Sequence, residues 1–86
     1  MTEKQLLKYD GKNVCITMHL FPHSVSTKTV RGMLVSEPVL NLAIRNGIIQ
    51  VKEHFDFYLK ALCNKNRTVD FIRWTQVKLI IEVNEL

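Results

Sequence analysis

The stretch FIRWTQVKLII, residues 71–81, carries the pattern from which we predict the fold of this 86-residue chain. Apolar and polar residues alternate on both sides of a short polar interval, which is the pattern of half-buried strands. We predict one strand that ends near Arg73, a tight turn at about residues 74–76, and a second strand over residues 77–83. The only tryptophan, Trp74, lies at that turn. The alternating apolar positions of the two strands are Val69, Phe71, Val77, Leu79, Ile81 and Val83.

A short helix is predicted at the N-terminus. Thr2 followed by Gln5 fits a capping box, in which a hydroxyl and an amide satisfy free backbone N–H groups. Asp10-Gly11 ends the helix, because glycine takes up the turn after a helix at little steric cost. Residues 13–20 then alternate with a period of two and predict a strand. A loop over residues 21–27 follows, since this segment contains proline and serine without apolar periodicity.

The middle of the chain reads as two further strands. Residues 28–35 form the first, in which Gly32 indicates a bend, a bulge or a close backbone approach. The Ser-Glu-Pro sequence at residues 36–38 interrupts the pattern, so the next strand is predicted to begin at about Val39. Gly47 either kinks that strand or ends it.

Residues 52–62 fit two patterns. One set of apolar residues has helical spacing, whereas an overlapping set alternates as in a strand. A helix is favoured, because Lys60, Ala61 and Leu62 prefer that conformation. A polar turn at residues 64–67 then leads into the strand that ends near Arg73. The helical set is Phe55, Tyr58, Leu59 and Leu62, and the alternating set is Phe55, Phe57, Leu59 and Ala61.

These elements predict one mainly β domain over residues 1–86, with a short N-terminal helix followed by five antiparallel strands. A five-stranded sheet of this size cannot stay flat, so we expect it to bend strongly into a small open barrel. An open barrel leaves edge strands, and a long edge over residues 77–83 is a natural pairing surface for another chain. The pattern therefore points to an assembly.

Composition limits the classes of function. The chain is 47% apolar and 23% charged, with a formal charge of +4, which is typical of a globular protein and compatible with a nucleic-acid partner. No apolar run is long enough for a membrane span or a signal peptide, so we expect a soluble intracellular protein without membrane association.

No catalytic or metal site is evident in the sequence. Cys15 and Cys63 form no CxxC pair and are expected to be buried thiols. His19 and His23 have i,i+4 spacing, but Pro22 between them prevents a regular helix from presenting both rings. Because no nucleophile–base arrangement, phosphate-binding glycine loop or carboxylate pair can be placed, we expect no enzyme activity, cofactor, metal or small-molecule substrate.

The chain resembles the Sm and Sm-like (LSm) family in two motifs. Residues 72–80, IRWTQVKLI, match the family's second motif (Ile-Arg-Gly, two variable residues, Val, two variable residues, Ile) except at the glycine. Residues 37–44, EPVLNLAI, are similar to the end of the first motif, and residues 11–14 resemble its usual entry to the first strand. This resemblance implies an Sm-like fold with an enlarged, possibly helical loop at residues 50–66, between the third and fourth strands.

The resemblance also implies a site for one RNA base. In Sm-type rings the residue matching Asn41 hydrogen-bonds the base edge, and the residue matching Arg73 covers the base from the other side. This chain departs from that pattern at the stacking position, where Val39 has no aromatic face, and at the glycine, which is replaced by Trp74. Glu37 replaces the aspartate that orients the asparagine. RNA binding through Asn41 and Arg73 is therefore expected to be vestigial or weak.

Both polar residues also have ordinary structural explanations. Asn41 can satisfy the backbone of a turn, and Arg73 can pair with Glu37 or Asp70. A worn RNA site on an Sm-like fold is similar to the Gemin-type subunits of the SMN complex, which help to load Sm proteins onto spliceosomal RNA.

The leading hypothesis is therefore a non-catalytic scaffold subunit of such an assembly complex, in the cytoplasm and nucleus. It pairs edge to edge with another Sm-like protein as a hetero-oligomer, and it contacts small nuclear RNA weakly or not at all. The alternatives are an RNA-binding LSm ring subunit and an unrelated small α+β interaction protein of viral or phage type. The residues expected at the partner interface are Val69, Phe71, Val77, Leu79, Ile81 and Val83.

Overall fold

The computed structural model describes all of residues 1–86 and shows a mainly β protein with a short N-terminal helix. Its five strands form one antiparallel sheet in the order β4-β3-β2-β1-β5. The sheet is not closed, so β4 and β5 are its two edges. The elements are α1 (Glu3–Leu7), β1 (Asn13–His19), β2 (Thr27–Arg45), β3 (Ile48–Lys60), β4 (Thr68–Ile72), a 3-10 helix (Trp74–Leu79) and β5 (Ile80–Glu85).

The helix α1 begins with the predicted capping box. The Thr2 hydroxyl accepts a hydrogen bond from the Gln5 backbone at 3.2 Å, and the Gln5 side chain accepts one from the Thr2 backbone at 3.0 Å. A helix of five residues is not stable alone, so tertiary packing must hold it. That packing comes from Leu6, which is fully buried in the core.

The strand β2 is longer than predicted, because the Ser-Glu-Pro sequence does not interrupt it. The backbone N–H of Phe55, which lies opposite Pro38, donates to Glu3 instead of to Pro38. The nitrogen of Pro38 therefore points away from β3, toward the side where β1 has already ended. On that side Leu34 donates to Lys12 and the Ser36 backbone to the Asp10 carboxylate, so Pro38 lies just past the last partner.

The strands β2 and β3 form a long hairpin, and Gly47 ends the strand there. Asn46 and Gly47 both have positive φ values, 54° and 75°, as a two-residue type I′ turn requires. The register runs without a bulge from Arg45 opposite Ile48 to Met33 opposite Lys60. The predicted start of a new strand at Val39 is therefore wrong, since that residue lies within β2.

The prediction of a helix over residues 52–62 is also wrong. Residues 48–60 are strand β3, which lies between β2 and β4, so cross-strand hydrogen bonds outweigh the helix preference of its last residues. Of the alternating set, Phe57 and Leu59 are fully buried. The connection between β3 and β4 is only residues 61–67, so the predicted loop over 50–66 is mostly strand.

The segment after β4 turns into a 3-10 helix rather than a strand. Residues 74–79 form that helix, and β5 begins only at Ile80. Val77 and Leu79 leave only 2% and 8% of their surface exposed, and both belong to the core. Their apparent strand alternation thus reflects a short helix that turns two side chains inward.

One core holds the fold together and draws from every element. Its residues include Ile72 from edge strand β4 and Ile80 from edge strand β5, so the sheet must fold around the core. The remaining members of the cluster are Leu6, Val14, Ile16, Met18, Leu34, Phe57, Leu59, Val77 and Leu79. The end of the β2–β3 hairpin extends beyond this core, because every residue from 40 to 53 is exposed.

Candidate functional site

Asn41 lies in the part of the hairpin beyond the core, residues 40–53, which we call the distal hairpin. It stands opposite Lys52 in the middle of paired strands, so it satisfies no turn. Directly opposed residues of an antiparallel pair share a face of the sheet. With Arg45 and Gln50, these two side chains form a polar face without a carboxylate and line a groove of about 200 Å³.

Arg73 is exposed immediately after β4, and it forms no ion pair with Glu37 or Asp70, its predicted partners. Asp70 pairs with Lys28 at 3.1 Å, and the guanidinium of Arg73 lies 6.0 Å from the centre of the Phe71 ring. The Arg73 backbone N–H donates to the side chain of Gln76 at 3.1 Å, which helps to start the 3-10 helix. Neither of the predicted ion pairs of Arg73 forms.

The sheet does not bring Asn41 and Arg73 together. Arg73 follows Ile72, which is opposite Phe57, whereas Asn41 is opposite Lys52. Extending this register by one residue sets Arg73 at the level of Asp56, four residues along β3 from Lys52, which is about 13 Å of strand. A single base therefore does not span the two side chains in this arrangement.

Trp74 has a structural role that the sequence did not reveal. Its indole stacks on the imidazole of His54, with ring centres 3.8 Å apart and planes 8° from parallel. Its backbone N–H donates to Asp56 at 2.9 Å. The Glu3 carboxylate completes the contact, since it lies 2.9 Å from Nδ1 of His54 and accepts the Phe55 N–H at 2.9 Å. Trp74 thus ties the 3-10 helix to β3, and α1 covers the edge of β3 beyond β4.

Val39 and Glu37, which stand at the stacking and asparagine-orienting positions of the first motif, both lie in β2. Val39 is half-buried opposite His54, and Glu37 is opposite Asp56. The Glu37 side chain raises the pKa of Tyr58, because the phenol donates a hydrogen bond to the carboxylate only while it is protonated, and burial adds to this effect. The two carboxylates make this part of the sheet less favourable for a phosphate backbone.

The two sheet edges hold the other predicted interface residues in different environments. Val69 on β4 and Ile81 on β5 are 45% and 52% exposed, so both are accessible to a partner chain. Phe71 is half-buried against the Tyr58 ring at 4.8 Å, and Val83 packs against the core. The side chains of Val77 and Leu79, in the 3-10 helix, face the core and offer a partner almost no surface.

The sequence carries one local signal for the β2–β3 hairpin. Asn46-Gly47 between alternating apolar residues is the strongest short-range indication of a two-residue hairpin turn. The contact among Glu3, His54 and Trp74 has no comparable signal, because its members are far apart in the chain.

The chain matches no protein-family model, no curated protein and no solved structure. Within the structure itself, no helix has the length and apolar character needed to span a membrane.

Proposed function

We propose that this chain is a non-catalytic scaffold subunit of a ribonucleoprotein assembly complex of the SMN type, in the cytoplasm and nucleus. It pairs edge to edge with another Sm-like protein and supports the loading of Sm proteins onto small nuclear RNA. The observation that carries this proposal is the open sheet, which leaves one edge at β4 and one at β5. Edge strands present unpaired N–H and C=O groups to which a further strand can add.

The resemblance of the sequence to the Sm and LSm family supplies the kind of partner. A capped N-terminal helix followed by five antiparallel strands agrees with the architecture that this resemblance implies. The segment Glu37-Pro38-Val39 is continuous strand, whereas the sequence predicted an interruption at residues 36–38.

The residues at the expected RNA-base site support a scaffold role rather than an RNA-binding role. Asn41 and Arg73 lie at different levels of the sheet, and no aromatic residue stands at the stacking position, Val39. The indole of Trp74 already has a partner in His54. Because base stacking contributes about 1–3 kcal/mol per base, a site without a stacking residue binds RNA weakly.

Purification of the full chain from its native cells, with partners identified by mass spectrometry, tests the proposal. We expect Sm-like proteins to be recovered, and their absence would refute the assembly role. The variant Ile81→Lys places a charge on the β5 edge and should reduce their recovery at least tenfold. Ile48→Lys is the control, because Ile48 is also an exposed isoleucine (65%, against 52% for Ile81) and lies at the hairpin turn, away from β4 and β5.

RNA binding separates this proposal from the runner-up, an RNA-binding LSm ring subunit. The runner-up is favoured by the polar face of the distal hairpin, which presents Asn41, Arg45 and Lys52 without an acidic neighbour on that face. A ring subunit should bind short uridine-rich RNA with a submicromolar Kd at physiological salt, and its mass in solution should correspond to roughly six or seven copies.

The scaffold proposal predicts the opposite result in both measurements. We expect no submicromolar RNA binding, and we expect Asn41→Ala and Arg73→Ala to leave partner recovery unchanged. A tight RNA complex that either substitution abolishes would replace the scaffold proposal with the ring subunit.

A further inference from the structure

The distal hairpin has one face that is almost entirely apolar. The pairs Leu42 with Val51 and Ile44 with Ile49 share this face, and Leu40 extends it toward the core. These five side chains, which we call the apolar face, are 57–78% exposed, so no part of the chain covers them. They continue the side of β2 and β3 that carries the buried residues of the core, past the point where α1 and the 3-10 helix end their coverage.

The size of the apolar face is at the limit of what a monomer ordinarily exposes. Together its residues leave on the order of 500 Å² of mostly apolar surface in water, whereas the largest patch of a typical monomer is about 300–600 Å² and is often functional. The other face of the same hairpin contains Asn41, Arg45, Gln50 and Lys52, which are well solvated as they stand. Ala43 and Ile48 are the only apolar residues on that second face, so burial benefits mainly the apolar face.

We propose that the apolar face packs against the apolar face of a second copy of this chain. Two such ribbons have equal length and equal twist, so they can stack as layers of a small β-sandwich about 10 Å apart. The two faces together would bury about 1,000 Å², which is the lower limit for a specific interface and the range of weak, reversible dimers. The contact uses sheet faces, so it is independent of the edge pairing proposed above.

Charge favours one relative orientation of the two copies. Glu53, opposite Leu40, is the only charged residue on this side of the distal hairpin. If both hairpins point the same way, the two Glu53 carboxylates lie at the same end of the interface and repel each other. If they point in opposite directions, about 13 Å of strand separates the carboxylates. The second arrangement is therefore the one that the interface takes.

Neighbouring isoleucines at the hairpin turn provide a matched test. Ile48 and Ile49 are both 65% exposed, but Ile49 belongs to the apolar face and Ile48 to the opposite face. The variants Ile49→Asp and Ile48→Asp add the same charge one residue apart. Aspartate is chosen over lysine because a lysine at position 49 would approach Glu53 of the second copy.

Sedimentation velocity of the full chain should be measured from about 5 to 500 µM, a range that brackets a micromolar Kd. We expect a monomer–dimer equilibrium for the wild type and for Ile48→Asp, and at least a tenfold weaker dimer for Ile49→Asp. Circular dichroism and thermal melting establish that each variant is folded. If Ile49→Asp lowers the melting temperature markedly, Val51→Asp with Gln50→Asp as its control repeats the comparison one pair further from the turn.

Several results would overturn the proposal. A wild type that stays monomeric at the highest concentration would show that a second copy does not occupy this face. Equal effects of the two aspartate variants would mean that the charge acts without regard to the face. A dimer that survives Ile49→Asp but is lost in Ile81→Lys would assign self-association to the edge β5, which would leave the scaffold proposal standing and remove this one.

Discussion

The substitution Gly32→Ala tests how closely the backbones of β2 and β3 approach each other. A Cβ atom built at Gly32 would lie 2.5 Å from the backbone carbonyl oxygen of Lys60 and 3.3 Å from the Cβ of Leu59. Carbon and oxygen atoms that are not bonded do not approach to 2.5 Å, so one of the two strands must move. From the sequence, Gly32 indicated a bend, a bulge or a close backbone approach. The structure identifies the close approach as the reason for glycine at this position.

The size of the effect follows from what blocks the methyl group. Overpacking in a well-packed region costs about 1–3 kcal/mol, with the lower values where a flexible side chain can move aside. Here the obstacle is a carbonyl of β3, and Lys60 is held by pairing with Met33 on one side and Thr68 on the other. We therefore expect a loss of about 3 kcal/mol, out of a total stability of about 4–13 kcal/mol for a chain of this length.

Urea unfolding followed by the fluorescence of Trp74 measures this loss. With a slope of about 1–1.5 kcal/mol/M for a small protein, the midpoint should fall by about 2–3 M. Gly47→Ala is the control, because Gly47 has φ +75° but no atom within 4 Å of the added Cβ. It should lose about 1–2 kcal/mol, the cost of a left-handed alanine. In the absence of a clash, alanine within a strand is favoured over glycine by about 0.5–1 kcal/mol. A Gly32→Ala midpoint equal to or above that of the wild type would therefore refute the close approach.

Two further substitutions test the polar contacts. Glu3→Ala should lower the free energy of unfolding by about 1–2 kcal/mol, because it leaves the partly buried N–H of Phe55 without an acceptor and removes the contact with His54. Glu3→Gln keeps one acceptor oxygen and should lose about half as much in the same urea titration; equal losses would argue against the hydrogen bond to Phe55. Glu37→Gln should lower the pKa of Tyr58, seen as an earlier rise of tyrosinate absorbance on titration with base. Since folding raises this pKa above its ordinary value of 10.0, the stabilisation is complete below that pH and is lost as the pH rises through the folded-state value. An identical titration in the two proteins would contradict the contact.

Local chemistry in the sequence was sufficient for the parts of the fold that depend on neighbours in the chain. The capping box of α1 involves residues three apart, and the alternation of β1 reports which of its side chains are buried. The Asn46-Gly47 turn is of the same kind, because two residues with positive φ suffice to reverse the chain. These features require no knowledge of what packs against them.

Where the sequence was misleading, a distant partner outweighed the local preference. Residues 52–60 became strand because β2 pairs with all of them and β4 pairs with the last four, although Lys60 and its neighbours favour a helix. Pro38 fits inside β2 because β1 ends before it, a fact about the register that no local pattern contains. Val77 and Leu79 kept the spacing of a strand while the chain coiled into a 3-10 helix that buries both.

Hydrophobic period and turn chemistry act over a few residues, so a small, mainly β chain with a capped N-terminal helix can be predicted without knowing the tertiary contacts. Tertiary structure alone decided which surfaces are available for function. It placed Asn41 and Arg73 at separate levels of the sheet, stacked Trp74 on His54, and carried the β2–β3 hairpin beyond the core. These features depend on the register of the strands and on which distant segments cover each surface. The sequence does not contain this information, because an exposed leucine in the hairpin looks the same in the sequence as a buried one.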